Sequence, residues 1–486
     1  MLSPKLSHRL QTLVIFIYVA LITFLPSLHF MPGNMFLHDG QRLLQLTLLA
    51  LLLIHSSLSW QAAGNLIPIS NKLRYAFFIL LVLACISSSL AQNPRHAVIE
   101  VSIFAALSYL SLFFVGLYLE NKELFIKRLV YGLWIGIVLY VFAFYVGYIT
   151  ACLNRTPLNW PAPMLGFNNP RFFNQYQLWG LGLASLPLLA YDLKKSVRLF
   201  LNLLLICWWV ILFYSASRGV LVAWFLGLAI TVFTYRRQAL SFLRLQIIYI
   251  VAGFSAYTLL FKVTPHLLQM NLVARGIVRE TTSDRIELWK IAIAITQKYP
   301  IFGAGPMHYP WFSPVNYHPH NSVLQLTSEW GLPATSIILT LASYGTICWL
   351  RRFKASKVAT LNIIDHNFTI LLFFTLTANA AYSLVDGVIV TPLSQVMMFT
   401  VIGAMIGQYN YGHIELTRIK LINRKFKFRP IFAGAVLIAL ILSNLPELRH
   451  GIAGSTGSFS LESNRINPRI WIQILSPPST DKPTNS

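Results

Sequence analysis

His320 and its neighbours are the residues best equipped for chemistry. They lie in His318-Pro319-His320-Asn321-Ser322-Val323-Leu324-Gln325-Leu326-Thr327-Ser328-Glu329-Trp330-Gly331, which closes the longest polar segment of an otherwise apolar chain. A helix is expected to begin near Asn321. An imidazole at a helix N-terminus is kept neutral by the helix dipole. A neutral imidazole near pH 7 can take a proton from a hydroxyl. A structural, hydrogen-bonding histidine fits the same position, and His308 and His318 compete for the role.

Three further clusters offer phosphate or sugar contacts. Ser215-Ala216-Ser217-Arg218-Gly219 is a tiny loop between two apolar runs, in which Arg218 has little chain on which to swing. Its planar fork suits the oxygens of a lipid-linked phosphate. An interfacial arginine reaching for headgroups fits equally well. The second cluster, Asn168-Asn169-Pro170-Arg171-Phe172-Phe173-Asn174-Gln175, mixes amides and aromatics that suit sugars with an arginine that suits a phosphate; belt aromatics over a solvated turn is the plainer alternative. The third is Arg275, Arg279 and Arg285, for which a solvated basic face attracted to anionic lipid is the default. Arg285 differs because Asp284 and Glu287 flank it at an expected helix start, although a surface pair with Asp284 contributes little by itself. His318 and His320 do not follow zinc-ligand spacing. Gly303-Ala304-Gly305 lacks the Lys-Ser/Thr of a phosphate-binding loop, and there is no Gly-x-Ser-x-Gly elbow.

These groups must be positioned by membrane helices. The 486 residues are 56% apolar and 11% charged, against roughly a quarter charged in soluble chains. The apolar residues form runs of about 15–20, long enough to cross hydrocarbon as helices, without the alternation of a membrane barrel. Thirteen spans are expected: Gln11 to Phe30, Leu43 to Trp60, Tyr75 to Leu90, Ser102 to Leu119, Leu129 to Ile149, Leu178 to Leu193, Leu199 to Ala216, Val220 to Tyr235, Leu245 to Phe261, Leu332 to Leu350, Phe368 to Val390, Val396 to Gly407 and Ile431 to Leu445. The fold class is an all-α polytopic bundle of about 12–13 spans. Cys85, Cys207 and Cys348 fall inside spans and Cys152 in a connection, so no disulfide framework is expected.

The net charge of +23 belongs to membrane orientation rather than to nucleic acid. With the N-terminus cytoplasmic, most of the lysines and arginines fall in short cytoplasmic segments. The long segments 150–177, 262–331 and 446–486 then lie outside, and a site is expected there. The expected organisation is a transmembrane domain over 1–445, which includes the large outer loop 262–331, followed by a tail 446–486 that is poorly ordered towards its end. Within the loop, Ile286, Trp289 and Ile293 share one face of an amphipathic helix that can lie at the membrane interface. Pro300 ends that helix, and Gly303-Ala304-Gly305-Pro306 turns the chain.

Taken together the motifs resemble the O-antigen ligase and polymerase superfamily. His320-Asn321, nine residues, then Gly331 is similar to its His-Asn/Ser-x9-Gly motif. Ser283-x-Arg285-x3-Trp289, Pro300-x2-Gly303-x-Gly305 and Ser217-Arg218-Gly219 match in the same order. Pro333-Ala334 departs from the family, where a second small or polar residue such as Gly or Thr is frequent. The resemblance implies a bundle of the GT-C-like kind and transfer of a glycan from undecaprenyl pyrophosphate to a hydroxyl on the periplasmic side of the bacterial inner membrane, without metal or nucleotide cofactor. It implies that His320 is the base and that Arg218, followed by Arg285 and Arg171, holds the donor pyrophosphate. Asn321, Ser217, Asn174 and Gln175 are expected as supporting residues. Fixed arginines in a low-dielectric site stabilise charge growing on a pyrophosphate.

The acceptor is expected to be lipid A–core, as for a ligase, with a second lipid-linked repeat (a polymerase) or a protein hydroxyl (an O-oligosaccharyltransferase) as alternatives. A transporter of the same lipid would want ionisable groups in mid-span. The one found, Asp386, is placed inside Phe368 to Val390 towards its outer end.

Overall fold

The computed structural model describes residues 4–33, 35, 37–59, 70–158, 164–167, 169–270, 285–313, 316–411 and 428–453. In chain order the helices are α1 (Pro4–Thr23), α2 (Leu37–Leu58), α3 (Asn71–Leu90), α4 (Pro94–Glu120), α5 (Lys122–Leu153), α6 (Pro170–Leu183), α7 (Leu186–Ala190), α8 (Lys195–Tyr214), α9 (Arg218–Tyr235), α10 (Leu240–Thr258), α11 (Thr264–Leu267), α12 (Arg285–Lys298), α13 (Ser322–Arg352), α14 (Ala355–Val358), α15 (Ile363–Ser383), α16 (Pro392–Asn410) and α17 (Phe428–Ala453). No strand occurs among the described residues. Local chemistry sets many of the starts. Ser70, Asn93, Asn121, Asn169, Asn321 and Asn362 each accept a first-turn amide hydrogen, which satisfies a donor the helix cannot.

Nine helical stretches among the described residues are long and apolar enough to cross a membrane, and one of them, Arg218–Leu267, runs through α9, α10 and the short α11 in its 50 residues. The chain is thus an all-helical polytopic bundle. α15 and α16 fall outside that set because they carry more polar residues, and those residues are inside the protein. Thr369, Thr375, Asn379, Gln395, Thr400 and Gln408 are all buried, with α15 against α9 and α16 against α4. A helix surrounded by other helices can carry hydrogen-bonding side chains that lipid would not tolerate.

The structure redraws several of the expected spans. Leu178 to Leu193 is not one helix: α6 starts earlier, at Pro170, and breaks after Leu183. Pro187 sits in the first turn of α7 and cannot continue the hydrogen-bond ladder. Phe368 to Val390 also ends early, at Ser383, leaving 384–391 as irregular chain that is exposed at Leu384 and largely buried from Asp386 onwards. α2 and α4 begin before Leu43 and Ser102, so Asp39, Arg42 and Glu100 lie in buried opening turns. α17 continues past Leu445 to Ala453, where Arg95 at the start of α4 makes a two-pronged bond to Glu447, 2.7 Å on each side. Asn168, Arg275, Arg279, Ser283, Asp284 and the tail 454–486 lie outside the described residues.

Candidate active site

The site sits where α6, α9, α12 and α13 begin and α15 ends. Each start is fixed locally. Pro170 opens α6 behind the Asn169 cap, whose Oδ1 accepts from Arg171 N at 2.9 Å. Phe173 then stacks on Tyr140, with centroids 4.4 Å apart, and meets Trp208 edge-on. That anchor turns Asn174 and Gln175 inward, and both are fully buried. Ala216 has φ +52°, so the chain reverses sharply between α8 and α9 and presents Ser217 and then Arg218 at the first position of α9.

α13 is two helices joined at Gly331, whose φ is +81°. Gly303 (φ +69°) lies against it. A Cβ on Gly331 would stand 2.1 Å from the Ile301 carbonyl oxygen, and one on Gly303 2.3 Å from that of Glu329. Leu332 N donates to Pro300 O (2.8 Å), Ala304 N to Ser328 O (2.9 Å) and Gly305 N to Glu329 O (3.0 Å). The Pro300–Gly305 turn and the Gly331 kink are therefore one backbone-to-backbone joint, and only glycine fits its two faces. The joint fixes the first half of α13, and with it His320, relative to α12 and Arg285.

His320 is buried and takes the left-handed conformation, φ +53°. Histidine occupies that region more readily than most residues, but strain of this kind concentrates where geometry matters. Its ring nitrogens have different partners. Nδ1 lies 3.2 Å from Asp386 Oδ1 and Nε2 2.9 Å from Asn316 Nδ2. A carboxylate only accepts, so Nδ1 carries the proton and Nε2 offers its lone pair. The His318 ring packs edge-on against that of His320, 4.1 Å between centroids, and its Nδ1 accepts from the His320 backbone N–H at 3.2 Å. Asn321 caps α13 through Oδ1 and donates from Nδ2 to Leu384 O at 3.0 Å, tying the His320 segment to the 384–391 loop.

Asp386 is the residue that sequence reasoning misplaced. It is in the loop, not in a helix, and is almost wholly buried. Its Oδ1 accepts from Gly387 N (2.7 Å), Gln175 Nε2 (3.2 Å) and His320 Nδ1, and its Oδ2 from Tyr382 Oη (2.7 Å). Burial opposes its charge, yet hydrogen bonds from His320 and Tyr382, joined by the charge of His320 and His318 when they are protonated, outweigh it, so the carboxyl stays below the usual carboxylate range. The expectation that the helix dipole governs His320 is therefore incomplete, because a carboxylate bonded to the ring sets its tautomer. The Asp386-Gly387 pair was a legible turn signal. Asn316 and Tyr382 had no sequence signal.

The arginines converge on the same place. Arg285 opens α12 with its Nε buried and without a hydrogen-bond partner. Burial lowers its pKa and the nearby Arg171 and Arg218 push the same way, while Asp386 and Tyr382 act against them. Arg171 is half-buried and Arg218 exposed. Tyr382 also bonds Ser217. Asn174 accepts from Ser215 Oγ at 3.1 Å and keeps a buried Nδ2 unpartnered. Gln175 joins Asp386 to Thr391, whose Oγ1 donates to its Oε1 at 2.5 Å. His308 has no such opening: Nδ1 faces Pro306 O at 2.8 Å and Nε2 accepts from Asn93 N at 3.0 Å, so both nitrogens serve the fold. Among the described residues, no three His, Cys, Asp or Glu side chains form a group suited to a metal ion.

Positive charge thus gathers at one end of a multi-pass helical bundle, beside an imidazole oriented by a carboxylate. Residues 203–339 match the family model of the O-antigen ligases (Wzy_C), a domain of ligase- and polymerase-type membrane glycosyltransferases. The matched stretch, under a third of the chain, contains Ser217, Arg218, Arg285, His320, Asn321 and Gly331 and carries the resemblance first read from the motifs. No curated protein matches the chain.

Proposed function

We propose that the protein moves a glycan from undecaprenyl pyrophosphate to an acceptor hydroxyl, with His320 as general base and Arg171, Arg218 and Arg285 as pyrophosphate ligands. One observation carries the reading: the Nδ1 of His320 bonds buried Asp386, whose charge in turn reaches Arg285. The acceptor hydroxyl takes the position of the Asn316 amide and gives its proton to Nε2. Its oxygen forms a bond to the anomeric carbon of the donor sugar as the bond from that carbon to the pyrophosphate oxygen breaks. The pyrophosphate leaves as an anion held by guanidinium groups, and the imidazolium later loses its proton to solvent. Each step uses a group that is already oriented, which is where most of the rate advantage of such sites arises. Asn174, with a buried free N–H, and Ser217 supply further polar contacts. Asn321 and Gln175 act through the loop, and no metal or nucleotide takes part.

The basic short loops support a cytoplasmic N-terminus in the bacterial inner membrane, with the site on the periplasmic face. The acceptor we propose is lipid A–core. Deleting the gene and separating lipopolysaccharide on a gel tests this: loss of all capped core supports a ligase. A single-repeat band assigns a polymerase instead. Normal lipopolysaccharide with an unglycosylated protein assigns an O-oligosaccharyltransferase.

A further inference from the structure

α2 lies outside the matched segment and has no part in the chemistry above. Its first three turns nevertheless carry buried polar residues, with His38, Asp39, Gln41, Arg42 and Gln45 all inside the protein. A charged side chain within a membrane bundle is costly, so the bonds it makes are informative. Arg42 has no exposed surface. Its Nη2 donates to the Val390 carbonyl at 2.6 Å, and its Nη1 to Gln395 Oε1 at 2.6 Å and to Gln45 Oε1. Gln45 Nε2 donates to Gln395 Oε1 (3.0 Å) and to Pro392 O (3.3 Å), and Gln395 Nε2 to Ile389 O (2.8 Å). Ser394 Oγ donates to Val388 O (2.7 Å) while accepting from Trp179 Nε1 (2.8 Å). Side chains thus hold the chain's carbonyls just after Asp386 at residues 388, 389, 390 and 392. The same turns of α2 reach the arginine side of the site. Gln41 Nε2 donates to Gly166 O at 2.6 Å, and the His38 ring lies 5.3 Å from that of Phe172, next to Arg171.

We propose that Arg42 is a positioning residue. It pins the 384–391 loop so that Asp386 stays bonded to His320, and α2 thereby sets the register between the carboxylate and the α6 arginine. The kinetic half of this proposal rests on the catalytic reading of His320; the structural half does not. A guanidinium is required because its two terminal nitrogens reach the Val390 carbonyl and two amide oxygens from separate points of one planar fork, whereas a lysine offers a single nitrogen. A purely packing role for α2 would stabilise the bundle without any link to Asp386.

The test uses the full-length protein in nanodiscs. In Arg42→Lys, hydrogen exchange at Gly387 and Val390, whose amides bond Asp386 Oδ1 and Gly387 O, is expected to rise about 10-fold or more, as loss of a charged hydrogen bond implies. Exchange in α4 and α13 stays the same. The transfer kcat falls roughly 10–100-fold with donor KM unchanged, the scale expected when a catalytic group is displaced. In an Asp386→Asn background the same substitution costs less than about 3-fold, because the two act as one unit. Gln395→Glu leaves Arg42 an acceptor and removes only the Ile389 tie, so it is expected to loosen the same amides in a folded protein should Arg42→Lys misfold. Unchanged exchange over 384–391 in both variants overturns the proposal, as does an equal kcat loss in both backgrounds. A wild-type protein that transfers no glycan refutes the functional reading alone, because the exchange measurement needs no substrate.

Discussion

Asp386→Asn tests the site where geometry and charge can be separated. The carboxylate accepts from Gln175, His320 and Gly387 at one oxygen and from Tyr382 at the other, and donates to none. An amide is almost the same size. The fixed Gly387 N–H keeps the amide oxygen at the Oδ1 position, and the new NH2 meets the Tyr382 hydroxyl, which can rotate and accept. The loop and the His320 tautomer survive, while the charge does not. Across the 3.2 Å separation, with an effective permittivity of about 20, attraction between that charge and an imidazolium is at most about 5 kcal/mol. That corresponds to nearly four powers of ten in rate. A positioned base contributes only about 10²–10⁴-fold in total, so the base sets the ceiling. The single-turnover rate with an undecaprenyl-pyrophosphate-linked donor should therefore fall about 10²–10⁴-fold, with donor KM nearly unchanged. His320→Ala should lose a similar factor, and the double variant should be no worse than the poorer single one. A near-wild-type rate in Asp386→Asn, or losses that multiply in the double variant, would refute the pairing.

Further outcomes follow from the same geometry. Arg218→Lys should transfer glycan far more slowly despite its retained charge, because a point charge cannot replace the fork; wild-type rates would reject a pyrophosphate role. His308→Gln should keep substantial transfer while lowering the melting temperature in detergent, since both ring nitrogens serve the fold. Gly331→Ala should give little folded protein, given the φ of +81° and the Ile301 oxygen 2.1 Å from the added carbon, whereas Gly345→Ala, where nothing lies within 4 Å, should behave as wild type. The depressed Asp386 pKa stabilises the fold above the unfolded carboxylate value, about 3.9, and this contribution is lost as pH falls through the lower folded value. The melting-temperature gap between wild type and Asp386→Asn should thus be full near neutrality and shrink below about pH 4.

The fold was legible wherever a run of residues faced lipid. α3, α5 and α8 appear close to where their apolar runs place them, because lipid demands apolar surface along the whole length. Reading failed where helices face protein. The opening turns of α2 and α4 contain Asp39, Arg42 and Glu100, which count against a span in any hydropathy argument. They are tolerated because other helices, not lipid, surround them. The break after Leu183 was missed for the converse reason: the sequence stays apolar through Pro187, and only the lost backbone donor interrupts the helix.

The candidate site was legible to the extent that its parts are local. The Asn321 cap and the Ser217–Arg218 turn are dictated by backbone needs within a few residues, and the Gly303 and Gly331 motifs showed in the sequence although their need for glycine arises where the two segments meet. What gives the His320 ring its orientation comes from 66 residues downstream, and one of the groups that hold the chain after that carboxylate is Arg42, 348 residues from the Val390 carbonyl it binds. Such pairings leave no periodicity or spacing to read, because a fold creates them only when three distant helix ends meet. The charges show why the meeting is required. Three arginines gathered at one site repel each other, and for Arg285 the charges of Arg171 and Arg218 add to burial in lowering its pKa. Asp386 offsets part of that repulsion while orienting His320. A single buried carboxylate thus faces the proposed base and the arginines together; bound phosphates would take over its part in offsetting the arginines, so moving its loop should slow proton transfer more than it changes donor binding.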